Sequence, residues 1–350
     1  MNNEIISKKI SIWKLKLANH LMSFCLDKKI NNYFLIDFIF FIYQRLAHNS
    51  YVLEHKLSNH HYIPVFLLKE FKISEGLIFQ YARSKKPKAV SIKKEAACIK
   101  NLYSFKDKVS KGKSDFIENQ IFAFTLEKYA SRIIHQIIKD KDIDEKITNL
   151  ERSILMSYIA FQYVRTPRFL YFIRLVLQYL HLEKNISMDE VAKADFYKKA
   201  FFENYYQINS QEMYDFGIKN KLDLCNAKDL ILRLSIQIGD DLSSIIYKRK
   251  MHLLVAQQPA FFYLSDSPAE IFNCTKGRSV GPFLWEIEKN PLIFMPIAPD
   301  LCLYFLKGVT IPSPHIIGMI IETALPGSIY EFAFADRKSN KIIHSLELNI

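Results

Sequence analysis

The chain has 350 residues, 49% hydrophobic and 24% charged, with a formal net charge of +12. This balance excludes a disordered chain, and the length allows one large domain or two average ones. Glycine is scarce (9) and proline modest (12), which argues against long flexible linkers, while 27 Phe and 19 Tyr supply apolar area for a sizeable core. The five cysteines, at positions 25, 98, 225, 274 and 302, form no CxxC pair. A disulfide framework and a structural zinc site are therefore not expected, and buried thiols in a reducing compartment are.

In chain order, Met1 to His20 interleaves Lys8, Lys9, Lys14 and Lys16 with apolar residues, and no signal-peptide core is present. Residues 10 to 50 read as two helices with a break near Lys29 to Asn32. Tyr33 to Tyr43 (YFLIDFIFFIY) is the most apolar run. It is too short to span a bilayer, carries Asp37, and is apolar all round, so a buried core helix is favoured over a membrane-surface one. No integral membrane span is expected. Residues 1–55 read as an N-terminal helical extension. Residues 56–350 read as a single mostly helical α+β domain, with a β-rich region from about 251.

His60 to Leu68 has no helical period at its start, and Pro64 bars a helix interior there. Leu77 to Ala82 and Ala89 to Ile92 flank a Lys/Pro-containing loop and read as a short hairpin. The positive charge is concentrated here: Arg83 to Lys113 holds eleven basic residues against Glu95 and Asp107, whereas residues 121 to 350 are nearly neutral. Clustered ammonium groups near Tyr81, Tyr103 and Phe105 suit a nucleic acid or another polyanion, with Lys85, Lys86, Lys88, Lys93 and Lys94 as the docking residues. Ten of the eleven are Lys, so bidentate base readout is not suggested. The alternative is a solvated loop in a Lys-rich chain.

Asp115 to Lys139 and Ile143 to Leu182 read as helices, the latter broken at Thr166-Pro167, with three more helices up to Arg249. Beyond that point His252 to Gln257, Phe261 to Ser265, Leu292 to Pro296 and Leu301 to Leu306 read as strands, punctuated by prolines. Pro312 to Ala324 reads as a helix, and Ser328 to Ala335 and Lys341 to Leu348 as terminal strands. The expected fold class is α+β and predominantly α-helical, with a small N-terminal hairpin and a mixed or antiparallel strand-containing C-terminal part.

Several motifs fall in a recognisable order. They are His61-Tyr62-Ile63-Pro64, the segment Ile92 to Phe105, Leu126-Glu127, Gln162-Tyr163-Val164-Arg165-Thr166-Pro167, Ser265-Asp266-Ser267-Pro268 and Pro296-Ile297-Ala298-Pro299. In this order the chain, over roughly 59 to 310, resembles a bacterial family of unknown function, domain-of-unknown-function family 4238. Ser267 departs from the family's more frequent Asn. The resemblance implies site candidates without naming a reaction, and fits a bacterial, cytoplasmic protein; secretion without a cleavable signal stays open.

Five residues form the candidate catalytic constellation. His61 lies on an extended segment pinned by Pro64 and could serve as base, metal ligand or phosphate partner, or as a hydrogen-bonded structural residue. Arg165, on an apolar helix next to Thr166-Pro167, needs an anion, either an internal carboxylate such as Glu127 or Asp266 or a bound ligand. Gln162 shares its helix face at i, i+3. Asp266 ends an apolar strand, a position that suits catalysis and turn formation alike. Glu127 lies on a helix. These residue types suit a hydrolase or nuclease that uses general acid/base or divalent-metal chemistry on nucleic acid or a nucleotide. The alternatives are a non-enzymatic binding or regulatory module, and a translocated toxin or effector. His61, Arg165 and Asp266 are expected to share one cluster that opens to solvent on one side.

Overall fold

The computed structural model describes residues 59–82, 85–106, 113–114, 118, 122–123, 126–143, 147–171, 173, 228–257, 259–273, 278–279, 291–307, 313–329 and 332–348. The expected N-terminal helical extension, the apolar run Tyr33 to Tyr43 and the helices expected between 174 and 227 lie outside these residues. Among the described residues 45% are helical and 26% lie in strands. The fold is therefore a mixed α+β one, and the expectation of a predominantly α-helical chain is corrected. The shortfall is in expected strand: Cys98–Lys100, Phe105–Lys106, Lys113–Ser114, Glu270–Asn273 and Arg278–Ser279 are strands of two to four residues, too short to carry an alternation of their own.

Strand β1 (Asn59–His61) pairs antiparallel with β4 (Cys98–Lys100), setting His61 opposite Cys98. Pro64 follows at φ −59°, and its carbonyl accepts from the amides of Leu67 and Leu68. The ring that would break a helix interior thus opens one, α1 (Val65–Glu70). Strands β2 (Leu77–Ala82) and β3 (Lys88–Ser91) form the hairpin. It is not a small separate unit. Strand β13 (Phe332–Ala335), near the C-terminus, pairs with β2, and β8 (Leu264–Ser265) pairs with β13, giving an antiparallel sheet of order β3-β2-β13-β8.

A two-stranded pair, β5 (Phe105–Lys106) and β6 (Lys113–Ser114), leads to a stretch whose described residues between 118 and 127 are π-helical. Helix α2 (Lys128–Asp140) follows directly and ends at Lys141 in the left-handed region (φ 51°). Helix α3 (Asn149–Val164) starts at a capping box, in which Thr148 accepts from the Glu151 amide and Glu151 accepts from the Thr148 amide. Its residues from Ile154 to Val164 are all buried, so it is a central helix with no solvent face. Helix α4 (Lys228–Tyr247) packs along it, so closely that Gly239 faces the ring of Phe161.

The second sheet is antiparallel, of order β10-β9-β11-β12-β7, built from β7 (Lys250–Val255), β9 (Glu270–Asn273), β10 (Arg278–Ser279), β11 (Leu292–Ala298) and β12 (Leu301–Leu306). All seven residues of β11 are buried. Ile293, Met295 and Ile297 join the core around α3, while Leu292 and Phe294 join a second core under α5 (Pro314–Ser328). A sheet covered on both faces explains why this segment is a continuous apolar run rather than an alternating one. Lys341 to Leu348, expected as a strand, is helix α6 (Asn340–Leu348) instead. Ile342 is fully buried, and a short run with apolar residues at mixed spacings does not distinguish the two states. Among the described residues no helix is long and apolar enough to cross a membrane.

Candidate functional site

The polar centre of the molecule is Arg165, only 1% exposed, in the turn that ends α3. Pro167 cannot donate the next amide, and the chain turns there, which aims the guanidinium inward rather than along the helix surface. All three of its guanidinium nitrogens are engaged. Nη1 donates to Oε1 of Glu127 at 2.5 Å, and Nη2 donates to the His61 carbonyl and lies 3.5 Å from Oε2 of Glu118. Nε donates to the Tyr103 hydroxyl at 3.3 Å, and that hydroxyl donates to the Arg165 carbonyl at 2.8 Å. Phe122 and Tyr103 lay their rings against the guanidinium, 4.3 and 5.3 Å from its carbon.

Burial opposes the charge on Arg165, but Tyr103, Glu127 and Glu118 outweigh it and raise its pKa above the ordinary value. The same burial raises the Tyr103 and Tyr158 hydroxyls, so both stay protonated. The anion that a buried cation requires is thus supplied from within, by Glu127 and Glu118.

His60 and His61 alternate as a strand demands. His60 is fully buried, accepts the Tyr103 amide on Nδ1 at 2.9 Å, and stacks on the Tyr103 ring. His61 is half-buried, and its Nε2 lies 3.2 Å from the Ile92 carbonyl, which makes Nε2 the protonated nitrogen. Burial lowers the His61 pKa, so the ring is neutral near pH 7. Gln162 is buried on the same helix as Arg165. Its amide and the Tyr158 hydroxyl one turn earlier have no hydrogen-bond partner among the described residues.

Asp266 stands apart from this cluster. Its backbone amide donates to the Phe332 carbonyl, and its Oδ2 accepts the Phe332 amide at 3.0 Å, tying β8 to β13. Ser265 Oγ donates to the Ser267 carbonyl and accepts the Ser267 amide, so the turn is locally closed. Asp266 also lines a cleft of about 300 Å³ with Tyr62, Gln80, Glu95, Arg168 and Phe332, among others. Arg168 stands at its rim, 40% exposed, with Nη1 3.8 Å from the buried carboxylate of Glu270.

The structure thus brings Glu127, Arg165 and the His61 backbone together in an enclosed cluster, sets Gln162 on the same buried helix, and places Asp266 on a separate, open cleft. One carboxylate and three rings of the cluster, Glu118, Tyr103, Phe122 and His60, were not singled out from sequence as site residues. Among the described residues no group of three His, Cys, Asp or Glu converges in a way that could hold a metal ion. Lys85, Lys86, Lys88, Lys93 and Lys94 are all exposed. Two of them neighbour the cleft in the chain or in register: Lys88 is paired with Gln80, which lines it, and Lys94 directly precedes the lining residue Glu95.

The chain belongs to the family described as "Protein of unknown function (DUF4238)", which matches residues 59–313. No curated protein matches it, and no solved structure does.

Proposed function

We propose that this member of the family is a non-enzymatic nucleic-acid-binding module of the bacterial cytoplasm. Single-stranded RNA or DNA docks on the exposed lysines 85, 86, 88, 93 and 94. One contrast carries the reading. Arg165, the strongest cation of the candidate constellation, spends its donors on internal partners, whereas the five lysines present their charge to solvent. A hydrolase built on His61, Glu127 and Arg165 would need a substrate to reach a guanidinium that is 1% exposed. Lysine ammonium groups on a hairpin require no such access. They gain affinity by releasing counterions from phosphates, without reading sequence.

The test is equilibrium binding of single-stranded RNA between about 50 and 200 mM salt, the range over which counterion release is large. Wild-type protein should lose affinity linearly in log–log form, with a slope of about −0.7 per phosphate contacted. Replacing the five lysines with Gln should weaken binding and flatten the slope. Wild-type protein that retains no nucleic acid in a salt-sensitive way would overturn the reading. Hydrolysis of the RNA, abolished by Glu127→Gln, would restore the enzymatic alternative.

A further inference from the structure

We infer that strand β7 pairs with β7 of a second copy of this chain, joining two β10-β9-β11-β12-β7 sheets across a two-fold axis. Among the described residues β7 is the last strand of its sheet, and all six of its residues pair with β12 on one side. The Ala256 amide donates to the Asp300 carbonyl at 2.8 Å and continues the same register. Hydrogen-bonded and non-hydrogen-bonded pairs alternate along an antiparallel ladder. Lys250, His252 and Leu254 therefore bond to β12, while Met251, Leu253 and Val255 turn their amides and carbonyls away from it.

The other ends of the two large sheets are blunted, and β7 is not. Strands β8 and β10 span two residues each. Strand β3 follows Pro87, starts at the exposed Lys88, and ends at Ser91, whose carbonyl already accepts the amides of Glu95 and Ala96. Shortness, proline, lysine and a covering turn are the devices that keep a sheet edge from pairing. Strand β7 has six residues and no proline, its register with β12 is unbroken, and its three outward-bonding residues are all apolar. Val255 is 46% exposed, and so is 41% of Tyr247, at the end of the helix that leads into the strand.

The occupant that fits this edge is the same strand run the other way. Outward residues must lie opposite outward residues, and a register centred on Leu253 uses all three from each copy, giving about six hydrogen bonds. A shift of two residues either way loses one of the three pairs. The centred register sets Leu253 opposite Leu253 of the second copy, Met251 opposite Val255, and His252 opposite Leu254. Lys250 falls opposite Ala256, so like charges do not meet. Met251 and Leu253 are already half-buried against the core around α3, and pairing gives the exposed Val255 an apolar cross-strand neighbour.

The experiment is sedimentation equilibrium of the full chain from about 1 to 100 μM, the range of ordinary reversible association. Wild-type protein should sediment as a dimer that dissociates on dilution. Val255→Pro removes only an outward amide, at an exposed position, and leaves the ladder to β12 intact. Leu253→Lys sets two ammonium groups opposite each other on the axis. Each should raise the dimer dissociation constant about tenfold or more while the far-UV circular dichroism spectrum stays that of wild type. If Leu253→Lys unfolds the chain, Val255→Pro decides alone. Val255→Ile, which keeps the amide and the apolar contact, should leave the dimer as it is. A chain that stays monomeric across the range would overturn the pairing. So would a dimer that both folded variants leave unchanged, or one lost only when Ile316 and Met319, on the exposed face of α5, are replaced with Ser.

Discussion

The guanidinium of Arg165 and the carboxylate of Glu127 meet at 2.5 Å across 38 residues of sequence, and between them they join the end of the central helix to the segment that opens α2. A second carboxylate, Glu118, and the His61 carbonyl complete the arrangement. The cluster therefore locks β1, the π-helical stretch and α3 to one another.

The first prediction concerns this lock. Arg165→Met removes the cation that Glu127 and Glu118, each less than a fifth exposed, both face. The expected loss is about 3–5 kcal/mol in urea unfolding. Glu127→Gln leaves Glu118 facing the cation and keeps a hydrogen-bond acceptor, so it should cost distinctly less. A Met variant as stable as wild type would show that the network contributes nothing to folding.

Acid sensitivity follows from His61. Its pKa is lowered from 6.5 by burial in the folded protein, so below about that pH the unfolded chain binds the proton first. Stability linked to His61 is therefore unaffected above the unfolded pKa and falls as the pH drops below it, levelling off once the folded value is passed. His61→Gln keeps a donor for the Ile92 carbonyl and has no titration, so its unfolding midpoint should decline less between pH 7 and 5. Parallel curves for the two proteins would contradict this.

A pair of glycines tests the packing that carries the cluster. At Gly239 an added Cβ would lie 2.9 Å from the buried Phe161 ring, which itself packs on Phe122 against Arg165. Gly239→Ala should cost about 1–3 kcal/mol through overpacking. At Gly318, on α5, the nearest atom to the new Cβ is Leu254 at 3.9 Å, an ordinary contact. There Ala should gain roughly the 1 kcal/mol of helix propensity. Thermal melts that shift in the same direction would refute the distinction.

How much of this was legible in the sequence depends on the element. The strand Leu301–Leu306 and the hairpin strand Leu77–Ala82 were readable, because β-branched and aromatic runs bounded by turn residues carry their own signal. Helix α6 was not, since Lys341 to Leu348 places apolar residues at spacings that suit either state. The pairing of Phe332–Ala335 with Leu77–Ala82 had no local signature at all; register between distant strands is set by packing on the shared sheet. At the site, Arg165 announced its need for an anion by its apolar surroundings, and Glu127 was among the named partners. Glu118 was invisible because a carboxylate reaching from a remote segment leaves no pattern around itself, and Tyr103, read from sequence as a ring beside the lysines, is instead buried, as is Tyr81, and bonded to Arg165. Asp266, offered as another partner of Arg165, belongs instead to the strand pairing of β8 with β13 and to the cleft.

The most direct measurement is photocrosslinking of single-stranded RNA carrying 4-thiouridine to the full chain, followed by peptide mapping. Docking on the exposed lysines predicts that crosslinked peptides concentrate between residues 77 and 106, decline with added salt, and disappear in the five-lysine variant. Crosslinks that fall on the peptides bearing Glu127 and Arg165, and persist in that variant, would contradict the account.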